Sequence, residues 1–262
     1  MGGYYSIRGR DLWVEDRGGR SVREGTPPLL LLHGGLDHSG TLLTAFDDTL
    51  RQRFRMVAFD RSGCGRSPAT QECFTIADKA AQVIGFLEEY VREPAHVIGY
   101  SDGANAVLAV AIQRPDLMHT AVLIGGNFHH TGLMPGVMPP RESVVESYTN
   151  SETGRLSPDG INQAALNAAA TWDMWATQPT FTATDLATIN VPTLVAIGDD
   201  EPISLRHTVE LYEALPMAQL AVIPNASHAM PVEQPKLLSH IITEFLAAPH
   251  GRPTQSPIRR RH

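Results

Sequence analysis

The sequence predicts an α/β protein: a mostly parallel central sheet with helices on both faces and a small, mainly helical insertion. Three observations carry this. Short continuous apolar runs such as Leu29–Leu32 and Met56–Phe59 have the length of buried strands. They alternate with stretches of helical periodicity, the pattern of parallel strands joined by crossover helices. A chain of 262 residues, 42% hydrophobic and 19% charged, is large enough for one core without disulfide staples.

The elements follow in order. Residues 4–7 read as a first strand, and Pro27 and Pro28 introduce the run Leu29–Leu32. Residues 41–53 are expected to be helical, with Met56–Phe59 as the next strand. From Thr75, the positions Ile76, Ala80, Val83, Ile84, Leu87 and Val91 step by 4, 3, 1, 3 and 4, which lays them on one helical face. A strand at 96–100 precedes an Ala/Val-rich helix at 103–113, which Pro115 ends. Residues 121–124, 193–197 and 220–223 are further central strands, with a helix near Ser204 and a last one at 236–246. Residues 128–186, rich in Met, Pro, Thr and Asn, break the alternation, and only 161–175 reads as helix there. This stretch is expected to be an insertion at the carboxyl edge of the sheet, where open α/β folds bind ligands. The domain plan is a core of 1–127 and 187–248, a cap of 128–186 and a disordered basic tail of 249–262.

Charge and composition narrow the function. Lys and Arg number 21 against 28 Asp and Glu, a formal net charge of −7. Arg252, Arg259, Arg260 and Arg261 lie in the tail, so residues 1–248 carry 17 bases against 28 acids, a net of −11. Such a body lacks the basic face that nucleic acid requires, and the arginine tail reads as a solvated terminus. No apolar run approaches the roughly 20 residues that span a bilayer, and no secretory signal opens the chain. Met1 and Gly2 begin a formal myristoylation pattern, but no second membrane signal follows. Cys64 and Cys73 form neither a disulfide framework nor a metal-ligand spacing. A glycan on the sequon Asn225-Ala226-Ser227 would crowd His228. The expectation is a cytoplasmic protein acting on a small molecule, with no nucleic-acid or membrane partner, no metal and no cofactor, its oligomeric state open.

The chemistry centres on Gly99-Tyr100-Ser101-Asp102-Gly103, between an expected strand and an expected helix. G-x-S-x-G alone is a weak pattern that also describes a capped turn, but a sharp strand-to-helix turn needs glycines and presents a serine hydroxyl at a helix N-terminus. A nucleophilic serine needs a base, and the base needs an orienting acid. His228 follows the last expected strand, and Asp199, Asp200 and Glu201 follow the strand before it, so the chain order is Ser, acid, His.

With these residues in place, the sequence resembles the α/β-hydrolase superfamily over residues 10–247. The marks are Leu32-His33-Gly34-Gly35, Asp60-Arg61-Ser62-Gly63-Cys64-Gly65-Arg66-Ser67, the elbow around Ser101, the acidic loop and His228. The resemblance implies the α/β-hydrolase fold with Ser101 as nucleophile and His228 as base. In relatives the acid stands three residues after the loop glycine and is mostly Asp. Here that position is Glu201, before Pro202 and Ile203, with Asp200 and Asp199 as alternatives. The oxyanion hole would be formed by backbone N–H groups of Asp102 and of Gly35, or alternatively Leu36. The Ser-Asp-Gly elbow is similar to the valacyclovir hydrolase (biphenyl hydrolase-like) branch, in which the acid is associated with substrates bearing an α-amino group. The simpler reading of Asp102 is a first-turn acid complementing the helix dipole.

Leu36, Tyr100, Asp102, Trp172 and Trp175 are the expected substrate contacts, though Trp172, Met174 and Trp175 equally suit a helix packed on the core. His129 and His130 lack a third ligand, and the Asp60 to Ser67 turn reads as structural. The resulting expectation is a cofactor-independent serine hydrolase cleaving carboxylic esters, or lactones and aminoacyl esters or amides, through an acyl-enzyme. The alternatives are a perhydrolase or haloperoxidase-like activity on the same residues, or a non-catalytic module that binds a small ligand.

Overall fold

Four consecutive leucines leave no solvent-facing side, so Leu29–Leu32 requires cover on both faces of its sheet. The structure, a computed structural model describing residues 2–19, 22–70, 74–252 and 255, provides it. The expectations placed on Met1, Cys73 and Arg259 to Arg261 lie outside the described residues.

In chain order the strands are β1 (Gly2–Ile7), β2 (Arg10–Arg17), β3 (Leu29–Leu32), β4 (Met56–Phe59), β5 (Ala95–Tyr100), β6 (Met118–Ile124), β7 (Thr193–Asp200) and β8 (Ala218–Ser227). The helices are α1 (Gly40–Phe46), α2 (Ile76–Phe86), α3 (Asp102–Gln113), α4 (Arg141–Asn150), α5 (Glu152–Arg155), α6 (Gly160–Trp175), α7 (Ala183–Leu186), α8 (Leu205–Ala214), α9 (Met230–Glu233) and α10 (Pro235–Ala247). The sheet order is β1-β2-β4-β3-β5-β6-β7-β8, antiparallel through β1, β2 and β4 and parallel from there to β8. This is the α/β-hydrolase fold the sequence led one to expect.

Side-chain alternation divides the core in two. Leu30, Leu32, Val57, Phe59 and Val97 pack with α2 and α3, while Leu29, Leu31, Met56, Ala58 and Ile98 pack with α1 and α10. Both faces of the central strands are therefore covered, and β3 and β4 run apolar without interruption.

Some elements differ from the sequence reading. No apolar run marks β2 in the sequence, because only Leu12 and Val14 alternate inward among charged neighbours. The helix expected at 41–53 ends at Phe46 and continues as turns, with Thr49 N–H on Phe46 O and Arg53 N–H on Leu50 O, while Asp47 is drawn to Arg17 and Arg51. α2 starts at a Thr75 cap that accepts the Asp78 N–H, then widens into a π-turn at Leu87–Val91. β7 and β8 run beyond their apolar stretches, and this extension shapes the site. Between β6 and β7 the chain forms α4 to α7, where Tyr148, Ala164 and Ala168 make a small core of their own with Leu36 against it.

Candidate active site

The turn between β5 and α3 is forced by close approach. A Cβ on Gly99 would lie 2.4 Å from Gly103 backbone, and one on Gly103 would lie 2.3 Å from Leu32 O. Only glycine lets α3 start this close to β3 and β5. Ser101 sits between them at φ 54° and ψ −119°, a strained conformation for a residue with a side chain. Its N–H donates to Ile124 O at 2.8 Å, fixing the hydroxyl at the helix N-terminus.

The strand extensions deliver the other two groups. The β7–β8 register shifts between Gly198 and Asp200, and Asp199 Oδ1 accepts the Ala226 N–H at 3.2 Å. Asp199 and Asp200 face solvent, whereas Glu201 turns inward and is 6% exposed. His228, just past β8, bridges the two sides. Its Nε2 lies 3.0 Å from Ser101 Oγ and its Nδ1 lies 2.7 Å from Glu201 Oε2. Gly125 at φ 57° passes so near that a Cβ would lie 3.1 Å from the His228 ring and 3.2 Å from Glu201 Oε1. The Tyr100 ring tilts against the imidazole at 5.3 Å. Glu201 Oε1 is buried without a hydrogen-bond partner among the described residues. A hydroxyl on an imidazole whose other nitrogen faces a buried carboxylate can lose its proton to that imidazole while the carboxylate stabilises the imidazolium.

The Gly34-Gly35 turn closes the site from β3. A Cβ on Gly34 would lie 3.4 Å from Ser101 Cβ, and one on Gly35 only 2.6 Å from Asp102 Oδ2 and the Trp175 ring. Among the described residues, the N–H groups of Gly35 and Asp102 donate to no protein acceptor. The Asp102 side chain is buried and held twice, by Lys79 Nζ at 2.5 Å and by Trp175 Nε1 at 2.7 Å. Burial alone would raise its pKa; the Lys79 and Arg61 charges and the two hydrogen bonds outweigh that and hold it below the ordinary carboxylate value.

A cavity of about 210 Å³ opens on Ser101 and His228, walled by Leu133, Val137, Met138, Trp175 and Ile203, with Asn105, Asn127 and Gln178 as polar groups. Asn105 and Asn127 bond reciprocally, Nδ2 to Oδ1 and Oδ1 to backbone N–H, both at 2.9 Å. Three of the expected contacts lie outside the wall of this cavity. Trp172 donates its Nε1–H to Pro139 O and is not in the cavity wall. Leu36 packs on the small core around Tyr148, and Tyr100 supports His228 rather than the cavity. The Asp102 carboxylate borders the cavity with Lys79 Nζ on one oxygen and Trp175 Nε1 on the other.

Among the described residues no three His, Cys, Asp or Glu side chains form a metal-binding group, and no helix is long and apolar enough to cross a membrane. His129 stacks on His130 at 4.5 Å and turns Nδ1 to Thr131 Oγ1.

Sequence reasoning missed Lys79, Asn105, Asn127, Gln178 and the buried role of Arg61. For Lys79 a signal existed: it lies three residues after Ile76 and four before Val83, on the apolar face of α2, where an unpaired ammonium is costly. Asn105 stands one turn after Ser101 on the same helical face. The others come from distant loops and carry no local signal.

Comparison with known proteins bears on the fold. The profile of the alpha/beta hydrolase family matches residues 29–240. The protein named "Putative carbamate hydrolase RutD" of Caulobacter sp. (strain K31) is 27% identical over 261 residues, covering 90% of this chain and 96% of that protein. Carboxylesterase YbfK of Bacillus subtilis (strain 168) is 26% identical over 269 residues, covering 92% and 89%. Its crystal structure aligns with a TM-score of 0.71 at 25% identity, over 94% of this chain and 91% of that one. The enol-lactonase of Burkholderia xenovorans LB400 shares the fold, with a TM-score of 0.74 at 19% identity over 94% of this chain and all 100% of that one.

Proposed function

The chain belongs to the alpha/beta hydrolase family, and from that premise we propose that it is a serine hydrolase cleaving small carboxylic esters through an acyl-enzyme. The observation that supports this most is the unbroken run of hydrogen bonds from Ser101 Oγ through His228 to Glu201, at 3.0 and 2.7 Å.

The steps follow from the positions of the groups. Ser101 Oγ attacks the ester carbonyl carbon as its proton passes to His228 Nε2, and the carbonyl oxygen becomes an alkoxide. Glu201, buried against Nδ1, stabilises the imidazolium. The N–H groups of Gly35 and Asp102 receive the alkoxide, and removal of one such donor typically costs on the order of 2.7–4 kcal/mol. His228 then returns the proton to the leaving alcohol oxygen as the carbon–oxygen bond breaks. A water deprotonated by the same nitrogen attacks the acyl-enzyme, which collapses to the carboxylic acid and free Ser101. Residues 128–186 act as a cap, with Leu133, Val137, Met138 and Trp175 shaping the pocket for the acyl or alcohol part. The relatives named carboxylesterase and carbamate hydrolase favour carbonyl substrates with a heteroatom leaving group.

A panel of short-chain esters, lactones and carbamates tests the reading. Turnover that disappears in Ser101→Ala supports it; ester turnover retained in Ser101→Ala contradicts it. No turnover and no fluorophosphonate adduct on folded wild-type protein would favour a ligand-binding module.

A further inference from the structure

We propose that Arg61 is a positioning residue for the oxyanion: its guanidinium polarises the Gly34–Gly35 peptide and makes the Gly35 N–H a stronger donor to the developing alkoxide. The inference rests on the reading above, in which that N–H faces the oxyanion.

Arg61 is buried at 1% exposure, and none of its hydrogen bonds among the described residues goes to a carboxylate. Its partners belong to the turn itself. Nη1 donates to His33 O at 2.7 Å and Nη2 to Gly34 O at 2.8 Å, while Nε has no partner among the described residues. A buried cation is expensive unless well compensated, and carbonyl oxygens compensate it only in part. Apolar packing of the same volume would hold the turn at less cost, so the charge calls for another reason.

The hydrogen bonds supply one. His33 Nε2 accepts the Arg61 N–H at 3.1 Å, which places the ring proton on Nδ1, where it donates to Gly34 O at 2.7 Å. Burial, reinforced by the Arg61 charge, pushes the His33 pKa well down, so the ring stays neutral and keeps this tautomer. Gly34 O thus accepts two donors, one of them cationic. The same peptide unit ends in the Gly35 N–H. Donors on a carbonyl oxygen draw electron density from the amide nitrogen, and linked hydrogen bonds strengthen one another by roughly 10–30% each. The surrounding charge acts in the same sense. Asp102, whose carboxylate would repel an alkoxide, is paired with Lys79 at 2.5 Å, and the Arg61 charge acts on the same carboxylate from behind the hole.

Arg61→Gln and Arg61→Lys test this on p-nitrophenyl acetate and on a trifluoromethyl ketone, whose hemiketal oxygen occupies the alkoxide position. Active sites are counted by fluorophosphonate titration, so unfolded protein does not enter kcat. Arg61→Gln should lower kcat about 10- to 100-fold, weaken the ketone by a similar factor and leave KM nearly unchanged, because the donor is weakened rather than lost. Arg61→Lys keeps the charge but not the two-pronged contact and should fall between Arg61→Gln and wild type. A merely structural Arg61 would lower Tm and the titrated fraction but not kcat per site. The proposal is overturned if kcat per site and ketone affinity in Arg61→Gln stay within threefold of wild type, or if kcat falls while ketone affinity does not. If Arg61→Gln does not fold, the same threefold criterion on Arg61→Lys decides. Failure of the serine-hydrolase reading looks different, since wild type itself would then neither label nor turn over ester.

Discussion

Asp102 and Glu201 are both buried carboxylates beside the Ser101–His228 pair, yet their charges are held in opposite ways. Asp102 lies between Lys79 and Trp175, so its charge is cancelled within the scaffold before any substrate arrives. Glu201 has one oxygen on His228 and the other, among the described residues, on nothing. The first arrangement holds the start of α3, and with it the Asp102 N–H, in place. The second leaves the imidazole as the carboxylate's one partner among the described residues. Burial of an acid is therefore no guide to its role; what cancels its charge is.

The contrast can be broken in several ways. Glu201→Gln should show the largest effect, lowering kcat by roughly 10³–10⁴-fold through loss of the imidazolium partner and the favoured tautomer. Urea midpoints should scarcely fall in this variant, because an uncompensated buried charge is removed along with the hydrogen bond. Lys79→Met reverses the pattern. It strands the Asp102 carboxylate and should cost about 3–5 kcal/mol of stability, read from urea unfolding, with a smaller change in turnover per titrated site. Trp175→Phe removes one charge-assisted hydrogen bond from Asp102 and should cost about 1.5–3 kcal/mol, with a change in KM because Trp175 also walls the cavity.

Acid sharpens the comparison further. The folded Asp102 pKa is depressed, so the stability this group contributes is present above its unfolded value of about 3.9 and is lost as pH falls through its folded value. The stability advantage of wild type over an Asp102→Asn, Lys79→Met double variant should hold from pH 7 to about 4 and shrink below it, as urea midpoints at each pH would show. Asp199→Asn and Asp200→Asn should have the smallest effects, within about threefold in kcat, because exposed carboxylates are screened by solvent.

The sequence made the scaffold legible where local physics is decisive. Leu29–Leu32 has the length and apolarity of a doubly covered strand, and the two glycines around Ser101, between an expected strand and an expected helix, point to a tight turn. The position of Glu201 depended on a register shift at Gly198 and Asp200, which three adjacent acids cannot reveal by themselves. Lys79 was written on the apolar face of α2, but its partner lies 23 residues further along the chain. Arg61 was read as part of a structural turn, since nothing near it in sequence shows that its guanidinium reaches Gly34 O. Contacts between separate loops are set by how the strands stack, and no periodicity within one segment encodes them.

The central claim, that a nucleophilic Ser101 is driven through His228 by the Glu201 charge, is tested most directly by timed fluorophosphonate labelling with peptide mapping. Wild type is predicted to take one adduct, on the peptide holding Ser101, and Glu201→Gln to take the same adduct about 10³-fold more slowly. An adduct on another residue, or labelling of Glu201→Gln at the wild-type rate, would contradict it.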